Sequence, residues 1–93
     1  GLKVPHIGWD SVEVKRMHPI VRDVPSGSYM YFMHSYYVCP KNPDAIVATT
    51  NYGLEFPSIV ASGSVVGVQF HPEKSGRAGM QVLRNFVEMV GSA

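Results

Sequence analysis

The chain has a single cysteine, Cys39, in 93 residues. No internal disulfide can form, which excludes the stapled secreted scaffolds and fits a reducing cytosol. Long apolar runs are missing as well. Nothing approaches the ~20 residues of a bilayer-spanning helix, and the start lacks the basic-then-apolar pattern of an export signal. Charge is sparse and balanced, with 8 Lys+Arg against 7 Asp+Glu and a formal net charge of +1. That leaves no electrostatic footprint for nucleic acid. There is no internal repeat, charge block or low-complexity tract, and no Gly-rich phosphate loop. The four histidines His6, His18, His34 and His71 form no His-x-His or His-x-x-x-His pair, so no metal site is expected. What remains is 45% hydrophobic and 11% aromatic, ample for a packed core and contrary to disorder. The length holds one domain at most. The expectation is a cytoplasmic globular unit with no membrane or nucleic-acid partner.

The punctuation of the chain divides it into short elements. Residues 2–4 read as a short extended piece, and the mixture of Pro5, His6, Gly8 and Trp9 up to Asp10 as a shaped loop. Val12 to Lys15 alternates apolar and charged residues, the pattern of a half-exposed strand. Pro19 to Val24 has room for one helical turn, begun by Pro19 and stopped by Pro25-Ser26-Gly27. Tyr29 to His34 is almost continuously apolar and reads as a buried strand, which residues 35–38 could extend before a turn from Cys39 to Asp44. Ile46 to Tyr52 and Ile59 to Ser62 read as further strands. After Gly63-Ser64, Val65 to Phe70 has the composition of a sheet-interior strand covered on both faces. Val82, Leu83, Phe86, Val87 and Val90 then mark one apolar stripe of a helix, with Ser75 as N-cap and Gly91 as its stop. Five or six strands with one good helix leave a sheet short of cover. Either it folds over itself as a sandwich, or material is missing.

The reactive residues concentrate in His71-Pro72-Glu73-Lys74-Ser75, where a buried strand gives way to a helix. That junction is where open α/β sheets build their sites. Pro72 biases His71 to the extended region, and side chains two apart on an extended segment share a side. A carboxylate beside an imidazole binds its ring N–H, fixes the tautomer and stabilises the protonated form. His-x-Glu on its own is a common pairing, and these two residues amount to a base and its orienter without a nucleophile.

Cys39 does not fill the gap. The residue after a nucleophile lends its backbone N–H to the oxyanion hole, and Pro40 has none to lend. A small buried hydrophobe at a strand end is the better reading of Cys39. No serine lies in a Gly-x-Ser-x-Gly context. Trp9 reads equally as a core plug or as an exposed interface anchor.

With these residues in view, Gly67-Val68-Gln69-Phe70-His71-Pro72-Glu73-Lys74-Ser75 resembles the carboxy-terminal signature of the class I (triad) glutamine amidotransferases. Lys3-Val4-Pro5-His6-Ile7-Gly8-Trp9 and Tyr31-Phe32-Met33-His34-Ser35-Tyr36 resemble the branch formed by glutaminase subunits of imidazole glycerol phosphate synthase. Asn51-Tyr52-Gly53 and Leu83-Arg84-Asn85-Phe86 agree with that branch. The resemblance implies an α/β fold: the C-terminal part of a doubly wound amidotransferase domain, with a mixed sheet and one long C-terminal helix, over residues 1–93. It implies His71 as general base, Glu73 as its orienting carboxylate, and Ser35 and Tyr36 as holders of the glutamine backbone. Trp9, Tyr31 and Lys74 would face the cyclase subunit, a TIM barrel that receives ammonia. No cofactor is implied. Asp10 stands where the family commonly has Asn, so one interface hydrogen bond should differ. The family's Gly-x-Cys-x-Gly elbow is not among these residues, so the chain alone should be inactive and its uncovered faces should drive self-association. Two other readings are an amidotransferase part of a GMP, anthranilate or carbamoyl phosphate synthase, and a non-enzymatic α+β module.

Overall fold

The computed structural model describes residues 6–34, 40–63 and 65–91, with the backbone alone for His6 and His34. Five strands are joined in the order β2-β1-β3-β4-β5: β1 His6–Val14, β2 Ser28–His34, β3 Ile46–Asn51, β4 Glu55–Ser62 and β5 Val65–Val68. Among the described residues one α-helix, α1 (Gly76–Gly91), follows the strands. Short 3-10 turns occupy Pro19–Val21, Pro43–Ala45 and Pro72–Lys74, each begun by a proline, whose fixed φ suits the first helical position. This is the expected α/β assembly with one long C-terminal helix. The sheet is antiparallel in every pairing among the described residues.

The expected loop up to Asp10 is instead the first half of β1. Its register with β2 runs from His6↔His34 to Val12↔Ser28, and those ladder bonds override the local signals of Pro5 and Gly8. Gly8 carries φ +131° within the strand, a conformation that a side chain disfavours. Alternation then sorts the hairpin into two faces. Val12, Met30 and Phe32 point inward and are buried, while Ile7, Trp9, Tyr29 and Met33 are exposed. β4 is longer than its expected Ile59–Ser62 core. A register shift, with Ala48 opposite Ile59 and Thr49 opposite Pro57, absorbs Ser58 as a bulge residue, which accommodates a proline inside the sheet.

Val65 to Phe70 departs from its expected interior role. Among the described residues β5 pairs with β4 alone, and Val65 is 70% exposed. A continuous apolar run reports that both faces of a strand are apolar, but it carries no information about its hydrogen-bonding neighbours. The sheet nevertheless curls back on itself. Phe70 forms an isolated antiparallel bridge with Phe32 of β2, and the His71 N–H donates to the Tyr31 C=O at 2.9 Å. Phe32 sits between Phe56 and Phe70 in edge-to-face contacts, with centroids at 5.9 and 5.8 Å. Such pairs favour this geometry over a face-to-face stack.

The helix lies across this curl, but of the stripe expected of it only Val82 is fully buried. Gly79, Val82 and Asn85 are its buried residues, with Ala78 and Met89 partly buried against the core. Phe86, Val87 and Val90 are exposed. Apolar periodicity missed the packed face because a glycine and an asparagine are two of its three buried members. Buried Asn85 works as a bolt: its side-chain amide donates to the carbonyls of Ile20 and Arg22 at 2.9 and 2.8 Å, and its oxygen accepts from Gln81 at 2.9 Å. An Arg22–Glu88 ion pair lies alongside. Among the described residues no helix is long and apolar enough to cross a membrane.

Candidate active site

The site starts from Phe70, whose buried ring anchors the end of the curled sheet. The next residue, His71, is extended (φ −98°, ψ 100°), as a residue before proline should be. Here the expectation of a continuously extended segment fails. Pro72 begins the Pro72–Lys74 turn, because the φ that proline imposes also fits a first helical position. The turn still folds Glu73 back, placing its Oε2 3.3 Å from His71 Nδ1. With Nδ1 carrying the proton toward the carboxylate, Nε2 is left as the basic nitrogen.

The Glu73 carboxyl is held below its ordinary value chiefly by its own backbone N–H. Partial desolvation opposes this, while the His71 hydrogen bond, the His71 charge and the Lys74 charge assist it. The group is therefore a carboxylate at neutral pH, as an orienter of imidazole must be. Both members are reachable from solvent, with side chains 39% and 59% exposed.

Two residues seat the turn, and sequence reasoning gave neither its role. Gly79 lies so close beneath the turn that a Cβ there would meet the Pro72 carbonyl oxygen at 2.1 Å and the Ser75 Cβ at 2.5 Å. A glycine inside an amphipathic helix, about 1 kcal/mol worse than alanine for helix formation, was the available signal. Ser75 was expected as an N-cap. Its C=O does accept the Gly79 N–H at 3.2 Å, but its side chain bonds elsewhere: it accepts the Tyr31 N–H at 2.9 Å and donates to the His71 C=O at 2.6 Å.

The remaining expected site residues are distributed around this turn. Trp9 and Tyr31 face each other across β1 and β2, their rings edge to face at 5.8 Å. Trp9 is 54% exposed, so it plugs no core. Lys74 ends the turn next to Ser75 and is exposed. Asp10 accepts the Ser11 N–H at 3.0 Å. Ser35, Tyr36 and Cys39 lie outside the described residues. Among the described residues no three His, Cys, Asp or Glu side chains gather into a metal-binding group.

The His71–Glu73 couple thus lies just beyond β5, beside the curled sheet and the start of α1. The sequence model of the family described as glutamine amidotransferase class-I matches residues 2–90, and the chain belongs to that family. Within it, the chain is 57% identical over 90 residues to the imidazole glycerol phosphate synthase subunit HisH of Natronomonas pharaonis, covering 95% of this chain and 41% of that protein. It is 48% identical over 93 residues to the subunit of the same name from Moorella thermoacetica, covering 100% and 44%. Against that of Halobacterium salinarum it is 54% identical over 89 residues, covering 94% and 40%. The chain thus spans about two-fifths of the length of the curated relatives it matches.

Proposed function

We propose that residues 1–93 are the C-terminal portion of the glutaminase subunit of an imidazole glycerol phosphate synthase, a cytoplasmic enzyme of histidine biosynthesis. The observation that carries this reading is the His71–Glu73 contact at 3.3 Å, in a chain 57% identical to a protein of that name. Glutamine is the substrate, and glutamate and ammonia are the products. A cysteine supplied from outside these residues attacks the side-chain amide carbon. His71 takes the thiol proton and returns it to the departing ammonia, leaving a thioester. Water then attacks the thioester with His71 as base, releasing glutamate and regenerating the thiol. Glu73 keeps the ring in the tautomer that leaves Nε2 basic, and balances the imidazolium that forms.

Ser35 and Tyr36 hold the glutamine backbone in this reading. The ammonia passes to a cyclase subunit built as a TIM barrel, docked against Trp9, Tyr31 and Lys74. The exposed apolar face of Ile7, Trp9, Tyr29 and Met33 supports a protein interface there, since aromatic residues are enriched at such surfaces. Without the nucleophile the 93-residue chain releases no ammonia and its open apolar faces associate with one another.

The test is ammonia release from glutamine by the chain alone and by the same chain extended to the full length of its relatives. Activity is expected only in the second, and turnover by the first that survives Cys39→Ala would overturn the account. Failure of the extended protein to bind a cyclase barrel would move it to another synthase of the family.

A further inference from the structure

Facing residues of a hydrogen-bonded antiparallel pair normally exchange two ladder bonds. Tyr31 and His71 are such a pair, one step from the Phe32↔Phe70 bridge. One bond is present: the His71 N–H donates to the Tyr31 C=O at 2.9 Å. The return bond is not direct. The Tyr31 N–H donates instead to the Ser75 hydroxyl at 2.9 Å, which donates on to the His71 C=O at 2.6 Å. A side-chain oxygen has been inserted into the ladder at the residue that carries the base.

We propose that Ser75 is a positioning residue for His71, its hydroxyl setting the separation between β2 and the backbone of the base. The proposal rests on the glutaminase reading. Three observations favour it over a purely local role. Ser75 is 2% exposed, so solvent does not stand in for it. The His71 C=O has a second donor in the Lys74 N–H at 3.0 Å, so the group that loses its partner without the hydroxyl is the Tyr31 N–H. Gly79 holds Ser75 from below, since a Cβ there would lie 2.5 Å from the Ser75 Cβ, and this fixes where the oxygen sits. Removing the hydroxyl either leaves the Tyr31 N–H unpaired or lets the two strands close by the width of the missing oxygen. Both displace His71 relative to its substrate, and displacements of this order cost about 10- to 100-fold in turnover.

The experiment compares Ser75→Ala, Ser75→Cys and Asn85→Ala in the protein at full family length. It measures kcat and KM for glutamine, thermal midpoint, and amide hydrogen exchange at Tyr31. Asn85 bolts the far part of α1 and serves as a control for lost stability. Ser75→Ala is expected to lower kcat by about 10-fold or more with KM changed less than threefold, and to speed exchange at Tyr31. Ser75→Cys, of similar size with a weaker donor, should fall between Ser75→Ala and wild type. The positioning role is overturned if Ser75→Ala loses no more kcat than an Asn85→Ala protein of equal or lower thermal midpoint, or if Tyr31 exchange is unchanged. Absence of turnover in the unmodified protein would count against the glutaminase reading instead, and the Tyr31 exchange would still decide whether the hydroxyl bridge exists.

Discussion

The two ends of α1 are fastened by different means. At its start, Gly79 and Ser75 press against the Pro72–Lys74 turn through a contact that admits no extra atom and a hydroxyl that reaches across to β2. Further along, Asn85 binds two carbonyls of the Ile20–Arg22 segment and Glu88 pairs with Arg22. The first attachment determines where a half-exposed imidazole stands, and the second determines whether the helix stays down. On the proposed glutaminase reading, stability and chemistry belong to separate stretches of one helix, and substitutions should separate them.

His71→Ala gives the largest expected separation. In the protein at full family length it should lower kcat/KM for glutamine by roughly 10²–10⁴-fold, the range for loss of a general base, while the thermal midpoint barely moves because the ring is partly solvated. A large loss of stability would show that the ring is structural. Gly79→Ala comes next and should damage both properties, costing about 1–3 kcal/mol as overpacking does and lowering kcat by displacing the turn. Chemical denaturation with parallel ammonia assays measures both, and an intact, fully active variant would contradict the close contact.

Asn85→Ala should cost about 1–3 kcal/mol through two carbonyls left without their donor, with kcat unchanged in the folded fraction. A kcat loss matching that of Gly79→Ala would erase the distinction between the two attachments. The smallest effect belongs to His18, whose Nδ1 accepts the Ile20 N–H at 3.1 Å and caps the Pro19–Val21 turn against which α1 packs. Burial first, and the Arg16 charge second, lower its pKa from the ordinary 6.5. The folded state therefore resists the proton, so the cap's contribution is complete above pH 6.5 and declines as pH falls through that value toward the lower folded pKa. Thermal midpoints at pH 7.5 and 5.5 should differ by an amount that His18→Asn, a non-titrating cap, reduces. The cap itself is worth about 0.5–2 kcal/mol.

What could be read in advance follows the same division. The His71–Glu73 couple was legible because a two-residue spacing survives either an extended segment or a tight turn, although the turn was the one realised. The aromatic strand Tyr29 to His34 and the final helix were legible from composition and period. Asn85 and Gly79 were not, because apolar periodicity ignores polar and side-chain-free residues even where they form the packed face. Ser75 was assigned to the helix start next to it, since its partner Tyr31 lies 44 residues away and no local pattern reports that distance. The exposed edge of β5 was hidden for a related reason: strand composition describes faces, whereas neighbours are set by topology.

That distance of 44 residues between Tyr31 and Ser75 also bears on the order of assembly. The β1–β2 hairpin and the β3–β4–β5 meander join near neighbours, whereas the Tyr31–Ser75–His71 rung must first bear the closure of a long loop. The rung is therefore expected to form late in folding, and Ser75→Ala should act mainly by hastening unfolding, with folding rates little changed in a denaturant chevron. Partly folded chains would then lack a positioned imidazole.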